Sequence, residues 1–180
     1  MNMELSVGQK VAYPNQGVCM VEDIEKKKIG GNSMSFYALR VLSDNSTIFV
    51  PTENVEAVGL RPIITEKQFE NLVNNLEKDF EDVSNDWKVR SREFNEKLQS
   101  GDVFEAADVL KKLTFLSIEK KLSFREQTLL EKAKFLIVSE VTNAGLAKES
   151  KFSDRIDKLI EHACDKHHDT QPTVMAATSH

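Results

Sequence analysis

Trp87 is the single tryptophan of this 180-residue chain, and it lies in the run Ser84-Asn85-Asp86-Trp87-Lys88-Val89-Arg90-Ser91-Arg92. Lysine and arginine neutralise phosphates, and a flat ring beside them offers a face to a base. Trp87, Lys88, Arg90 and Arg92 are therefore candidate nucleic-acid contacts. The competing role is packing, with a half-buried indole anchoring the start of a helix. The segment by itself leaves both open.

Other chemistries find little support in the residues. The glycines at 30 and 31 are followed by Asn32 and Ser33, not by the Gly-Lys-Ser pattern of a phosphate loop. No Gly-x-Ser-x-Gly elbow and no His-Glu-x-x-His motif occurs. His162, Cys164, His167 and His168 cluster near the C-terminus, but their spacing matches no zinc signature, so neither a metal site nor a cofactor is expected. Paired carboxylates such as Glu81 and Asp82 read as a solvated face, and the chain is not expected to be an enzyme. Lys26-Lys27-Lys28 with Ile29 offers either a solvated hairpin tip or a basic edge with an apolar centre for an acidic partner.

Charge narrows the options for nucleic acid. The net charge of −5 argues against a protein that coats DNA indiscriminately. From Glu66 to Asp86 there are seven acidic and two basic residues; from Trp87 to Lys134 there are eleven basic and eight acidic. The sign changes at Trp87. Local, weak DNA contact is the expectation, with something else delivering the protein to its site. Neither a signal-peptide pattern over Met1 to Ser6 nor a bilayer-length apolar run is present, and Cys19 and Cys164 lie far apart. A cytoplasmic protein with reduced thiols is expected.

These side chains must be positioned by two unlike halves. Residues 1–64 alternate in the manner of strands: Val7 to Tyr13, Gly17 to Asp23, Phe36 to Leu42, Thr47 to Val50 and a short fifth from Asn54 to Val58. Pro14-Asn15-Gln16-Gly17 and Gly30-Gly31-Asn32 are turns between them. Five short strands predict a curled sheet or partly open barrel. Residues 65–165 carry helix signals. Thr65 to Gln68 and Ser123 to Glu126 match the capping box, Ser84 is a candidate cap for the helix bearing Trp87, and Asp102 begins another. Val103, Ala107, Leu110 and Leu113 form one buried stripe, and Leu130, Ala133, Ile137, Val141 and Ala144 a second. A short last helix is predicted around Phe152 to Ala163, and residues 166–180 read as a disordered tail. The fold class is α+β.

Several segments together resemble the bacterial CarD/CdnL family of RNA polymerase-binding transcription regulators. They are Val7 to Val18, Phe49-Val50-Pro51-Thr52-Glu53-Asn54, Val58-Gly59-Leu60-Arg61, Trp87 to Arg92, Leu98 to Val103, Lys121-Leu122-Ser123 and Leu130-Glu131-Lys132-Ala133. The likeness spans about residues 4 to 145 in order. It implies a Tudor-like N-terminal domain that binds the β subunit of RNA polymerase, with contacts at Lys27, Ile29 and Phe49. It implies a helical C-terminal domain that meets promoter DNA at the upstream edge of the transcription bubble. There the tryptophan matching Trp87 wedges into the minor groove and stabilises the open complex, with Arg90 and Arg92 near the backbone. A monomer without cofactor is implied. Family members can carry arginine where this chain has Phe49, and some are more basic around Glu126 and Gln127. The alternative is an adaptor on RNA polymerase that never touches DNA, with Trp87 in the core.

Overall fold

The structure is a computed structural model that describes residues 3–171. Its N-terminal half is a five-stranded antiparallel sheet ordered β4-β3-β2-β1-β5. The strands are β1 Lys10–Tyr13, β2 Gly17–Ile29, β3 Asn32–Val41, β4 Thr47–Pro51 and β5 Arg61–Pro62. β2 runs well past its expected end at Asp23 and pairs with β3 as far as Ile29 opposite Asn32. Gly30 and Gly31 both take positive φ, 58° and 82°, in the tight turn between them, which only residues without Cβ adopt cheaply. A bulge between Val21 and Asp23 bends β2 and curls the sheet around Val11, Val21, Leu39, Val41 and Val50.

The fifth strand lies elsewhere than expected. Asn54 to Val58 alternates like a strand, but its backbone bonds stay local: Thr52–Asn54 is a 3-10 turn, and Val58 N donates to Asn54 O at 3.0 Å. The strand that pairs with β1 is Arg61–Pro62, at the sheet edge where a proline costs no ladder bond.

Five helices follow: α1 Glu66–Leu76, α2 Trp87–Gln99, α3 Val103–Glu119, α4 Phe124–Asn143 and α5 Glu149–Thr170. Thr65 and Gln68 close a reciprocal capping box, and Asp102 and Ser123 cap α3 and α4. Asp86, not Ser84, caps α2; Ser84 Oγ instead accepts from Asp86 N at 3.2 Å and holds the cap in place. α3 is the central helix. Its stripe of Val103, Ala107, Leu110 and Leu113 is buried, and so are Lys111 and Lys112. Lys111 Nζ donates to Asn75 O at 2.7 Å, satisfying a carbonyl at the end of α1. In α4, Ala133, Ile137 and Val141 are buried as expected, while Leu129 lies deeper than Leu130.

The expected tail begins too early. α5 continues to Thr170, and His167 is 2% exposed, stacked on Phe80 at 4.2 Å and edge-on to Phe115 at 4.7 Å. Its Nδ1 lies 2.7 Å from Asp79 and its Nε2 3.1 Å from Asp82. Phe80, Asp79 and Asp82 thus draw the last turns of α5 onto the segment before α2, and Phe115 draws them onto α3. The remainder of the expected tail, 172–180, lies outside the described residues.

Candidate nucleic-acid and polymerase interfaces

α2 buries Arg90, Phe94 and Leu98, spaced by four, against the helical core. Trp87 stands three residues before Arg90 but is the first residue of the helix. Helical side chains lean toward the N-terminus, so a side chain at the first position overhangs the end with no turn beneath it. The indole is accordingly 60% exposed, with Lys88 Nζ 5.7 Å from its ring centre. Lys88 and Arg92, four residues apart, are both exposed and share a face of α2. The structure brings Trp87, Lys88 and Arg92 together at the exposed start of α2.

Arg90 does not join them. It is 3% exposed; Nη1 donates to Ser84 O at 2.9 Å and Asn85 O at 3.0 Å, and Nη2 to Glu126 Oε2 at 3.4 Å. With Nη1 and Nη2 so engaged and Nε buried, the guanidinium presents no donor to solvent, which sets Arg90 apart from the exposed residues expected to contact DNA. It ties the Ser84–Asn85 segment and the start of α4 to the start of α2.

That tie brings in a residue that motif matching overlooked. Phe124 is the first residue of α4 and is 90% exposed, two residues before Glu126. Two helices therefore begin with an exposed aromatic, and the Arg90–Glu126 ion pair joins the two starts. Arg125 is exposed beside Phe124. Helix N-termini carry partial positive charge, which favours phosphate at such a tip. The signal in the sequence was an aromatic directly after a capping serine, the position that also exposes Trp87 after its capping aspartate.

The second site lies on the sheet. Lys27 pairs with Met34, Glu25 with Phe36, Phe36 with Pro51 and Ala38 with Phe49, so these side chains share one face. Lys27 Nζ lies 4.6 Å from the Phe49 ring centre and 6.0 Å from that of Phe36. Ile29, two residues along β2, is 53% exposed, and Phe49 is 47% exposed. The three predicted residues therefore form one patch, apolar with a lysine at its centre. Met34, 38% exposed opposite Lys27, extends it and was not singled out from the sequence.

His162, Cys164, His167 and His168 do not converge on one point. His167 faces inward to Asp79 and Asp82, and burial, with Asp165 nearby, pushes the Cys164 thiol up to about 11. Among the described residues no group of three or more His, Cys, Asp or Glu could hold an ion, and no helix is long and apolar enough to cross a membrane.

Comparison with known proteins agrees with this two-part architecture. Residues 5–64 match the model of the CarD-like/TRCF RID domain, and residues 71–157 match that of the CarD C-terminal domain. The chain is 25% identical over 135 residues to YdeB of Bacillus subtilis (strain 168), named as a proposed transcription factor, covering 75% of this chain and 88% of that one. It is 39% identical to the solved N-terminal domain of Myxococcus xanthus CarD, covering 34% of this chain and 83% of that domain, with a TM-score of 0.29. It is 42% identical to the solved CdnLNt of the same organism, covering 37% of this chain and 93% of that one, with a TM-score of 0.31. With the CarD-like N-terminal domain model and the CarD C-terminal domain model matched in order over residues 5–64 and 71–157, the chain belongs to the CarD/CdnL family of transcription regulators.

Proposed function

We propose that this regulator docks its sheet on the β subunit of RNA polymerase and holds its helical tip against promoter DNA at the upstream edge of the bubble. The patch of Lys27, Ile29 and Phe49 makes the polymerase contact. Trp87 enters the minor groove, where steps beside an opening bubble are already unstacked, and Lys88 and Arg92 meet the adjacent phosphates. Phe124 offers a second apolar face at the same tip. The open complex then persists longer.

The observation that carries this proposal is the 60% exposure of Trp87 at the start of α2, beside Lys88. An indole serving only as a core anchor would be buried, so the exposure speaks against an adaptor that never touches DNA. The net charge of −5 fits a factor whose DNA contact is weak alone and gains strength from tethering. The test is the lifetime of an open complex formed by purified polymerase on a promoter fragment, with wild-type protein and with Trp87→Ala. Wild-type protein is expected to lengthen it and the variant to lose most of that gain. An equal gain from both would overturn the proposal.

A further inference from the structure

The two halves meet along a seam whose strongest bonds come from a carboxylate that the helical core does not need. Glu140 lies on α4 beside Val141 and is 4% exposed. Its carboxylate accepts from Arg61 Nη1 and Nη2, each at 2.7 Å, and from Ile64 N at 2.8 Å. Arg61 belongs to β5, and Ile64 to the connection leading into α1. The Arg61 Nε donates to Gly101 O at 2.8 Å, so one guanidinium reaches both α4 and the turn between α2 and α3. Lys10 of β1 adds a bond from Nζ to Asn143 O at 3.2 Å.

We propose that Glu140 and Arg61 form a positioning latch that sets the angle between the sheet and the helical half. The latch thereby fixes where the aromatic tip stands relative to the polymerase-facing patch; that consequence, though not the geometry, rests on the function proposed above. Two parallel charge-assisted bonds resist rotation as well as separation, since turning either plane breaks one of them. The third bond, from Ile64, fastens the interdomain connection to the same carboxylate. Pro14 supplies a mechanical stop: a Cβ placed on Gly101 would lie 3.1–3.3 Å from Pro14 atoms, so the β1–β2 turn rests directly on the α2–α3 turn. Neither Glu140 nor Arg61 lies on the sheet patch or at the tip. Buried ion pairs add little net stability compared with apolar replacements, and fixing geometry is the role that fits this one.

The test uses full-length protein carrying Glu140→Gln or Arg61→Lys, each of which keeps side-chain volume while spoiling the bidentate pair. Spin labels are placed on cysteines introduced at the exposed positions Glu56 and Glu161, the native Cys19 and Cys164 being buried. Both variants are expected to remain folded, at a lowered melting temperature because one partner of the pair loses its match, to capture the β subunit equally, and to give a broader label-to-label distance distribution. Their gain in open-complex lifetime should fall by roughly tenfold, because a tethered contact depends on the geometry of its linkage. Distributions as narrow as wild type in both variants overturn the latch. So does unfolding of both, which would make the pair a stabiliser of the fold. If wild-type protein fails to prolong the open complex, the proposed function falls, while the distance measurement still decides the latch.

Discussion

On the sheet, Lys27 of β2 reaches Phe49 of β4 across the intervening β3, and every step of that path is a backbone ladder. At the helical tip, Trp87 and Phe124 stand at the starts of two helices whose contact passes through the side chains of Arg90 and Glu126. The first patch is held by hydrogen bonds that survive any side-chain change. The second rests on core packing of α2 and α4 against α3 and on one ion pair between the helix starts, 3% and 14% exposed at its two side chains. The sheet patch should therefore tolerate substitution without loss of structure, and the tip should divide sharply into residues that make contact and a residue that holds them.

Arg90→Ala probes this contrast with the largest expected effect. Removing one partner of a buried pair takes the donor from Glu126 Oε2 and from the Ser84 and Asn85 carbonyls, at a cost of about 3–5 kcal/mol to the helical half. A thermal melt followed by helical circular dichroism should show it. Melting unchanged from wild type would place the tip on the same footing as the sheet. Trp87→Ala comes next and acts on contact alone. Loss of one aromatic contact with DNA is worth roughly 1–3 kcal/mol, on the order of tenfold in open-complex lifetime. Folding should shift by less than about 0.5 kcal/mol, since the indole is 60% exposed. A melted Trp87→Ala variant would make the indole an anchor after all.

On the sheet, the double variant Lys27→Glu, Ile29→Ala should fold as wild type and capture the β subunit several-fold more slowly, with weaker salt dependence. Unchanged capture would move the docking site off this face. The smallest effect concerns acid stability of the helical half. Burial works to raise the Asp108 carboxyl, and hydrogen bonds from Lys97 and Lys112 more than reverse it, holding it below its ordinary 3.8. A depressed carboxyl contributes stability that is present above that value and lost as pH falls through the lower folded one. The melting temperature of wild type should therefore drop more steeply below about pH 4 than that of Asp108→Asn, from titrations of both.

Legibility from sequence differed along the same line. Lys27 and Ile29 stood out in sequence as a basic run beside an apolar residue, and Phe49 joined them only through the family resemblance; the β2–β3–β4 ladder is what sets all three on one face. The capping signals of Thr65, Asp102 and Ser123 likewise stood out, since they act on neighbours a few residues away. What escaped notice depends on contacts between distant segments. Arg90 looked like a DNA contact in a basic run, but it is buried, held by the Ser84 and Asn85 carbonyls and by Glu126, 36 residues on. Phe124 looked ordinary until α4 was seen to begin beside α2. The end of α5 was obscure because His167 and His168 read as polar tail, while Phe80, Phe115, Asp79 and Asp82 make His167 a buried residue. Asn54 to Val58 misled by alternating without a strand to pair with.

Pro14 lies between two glycines, Gly59 from the sheet half and Gly101 from the helical half, and a Cβ on either would come within 3.0–3.3 Å of Pro14 atoms, close enough that the turn would have to shift. The two halves are therefore coupled in shape at this point. A chimera joining the sheet of one family member to the helices of another inherits this seam only if positions 14, 59 and 101 arrive as a matched set. A larger residue at 101 would have to be answered by a smaller or shifted turn at 14, so substitutions at the two positions should not add. Mutational drift on one side of the seam is bounded by what the other side has already accepted.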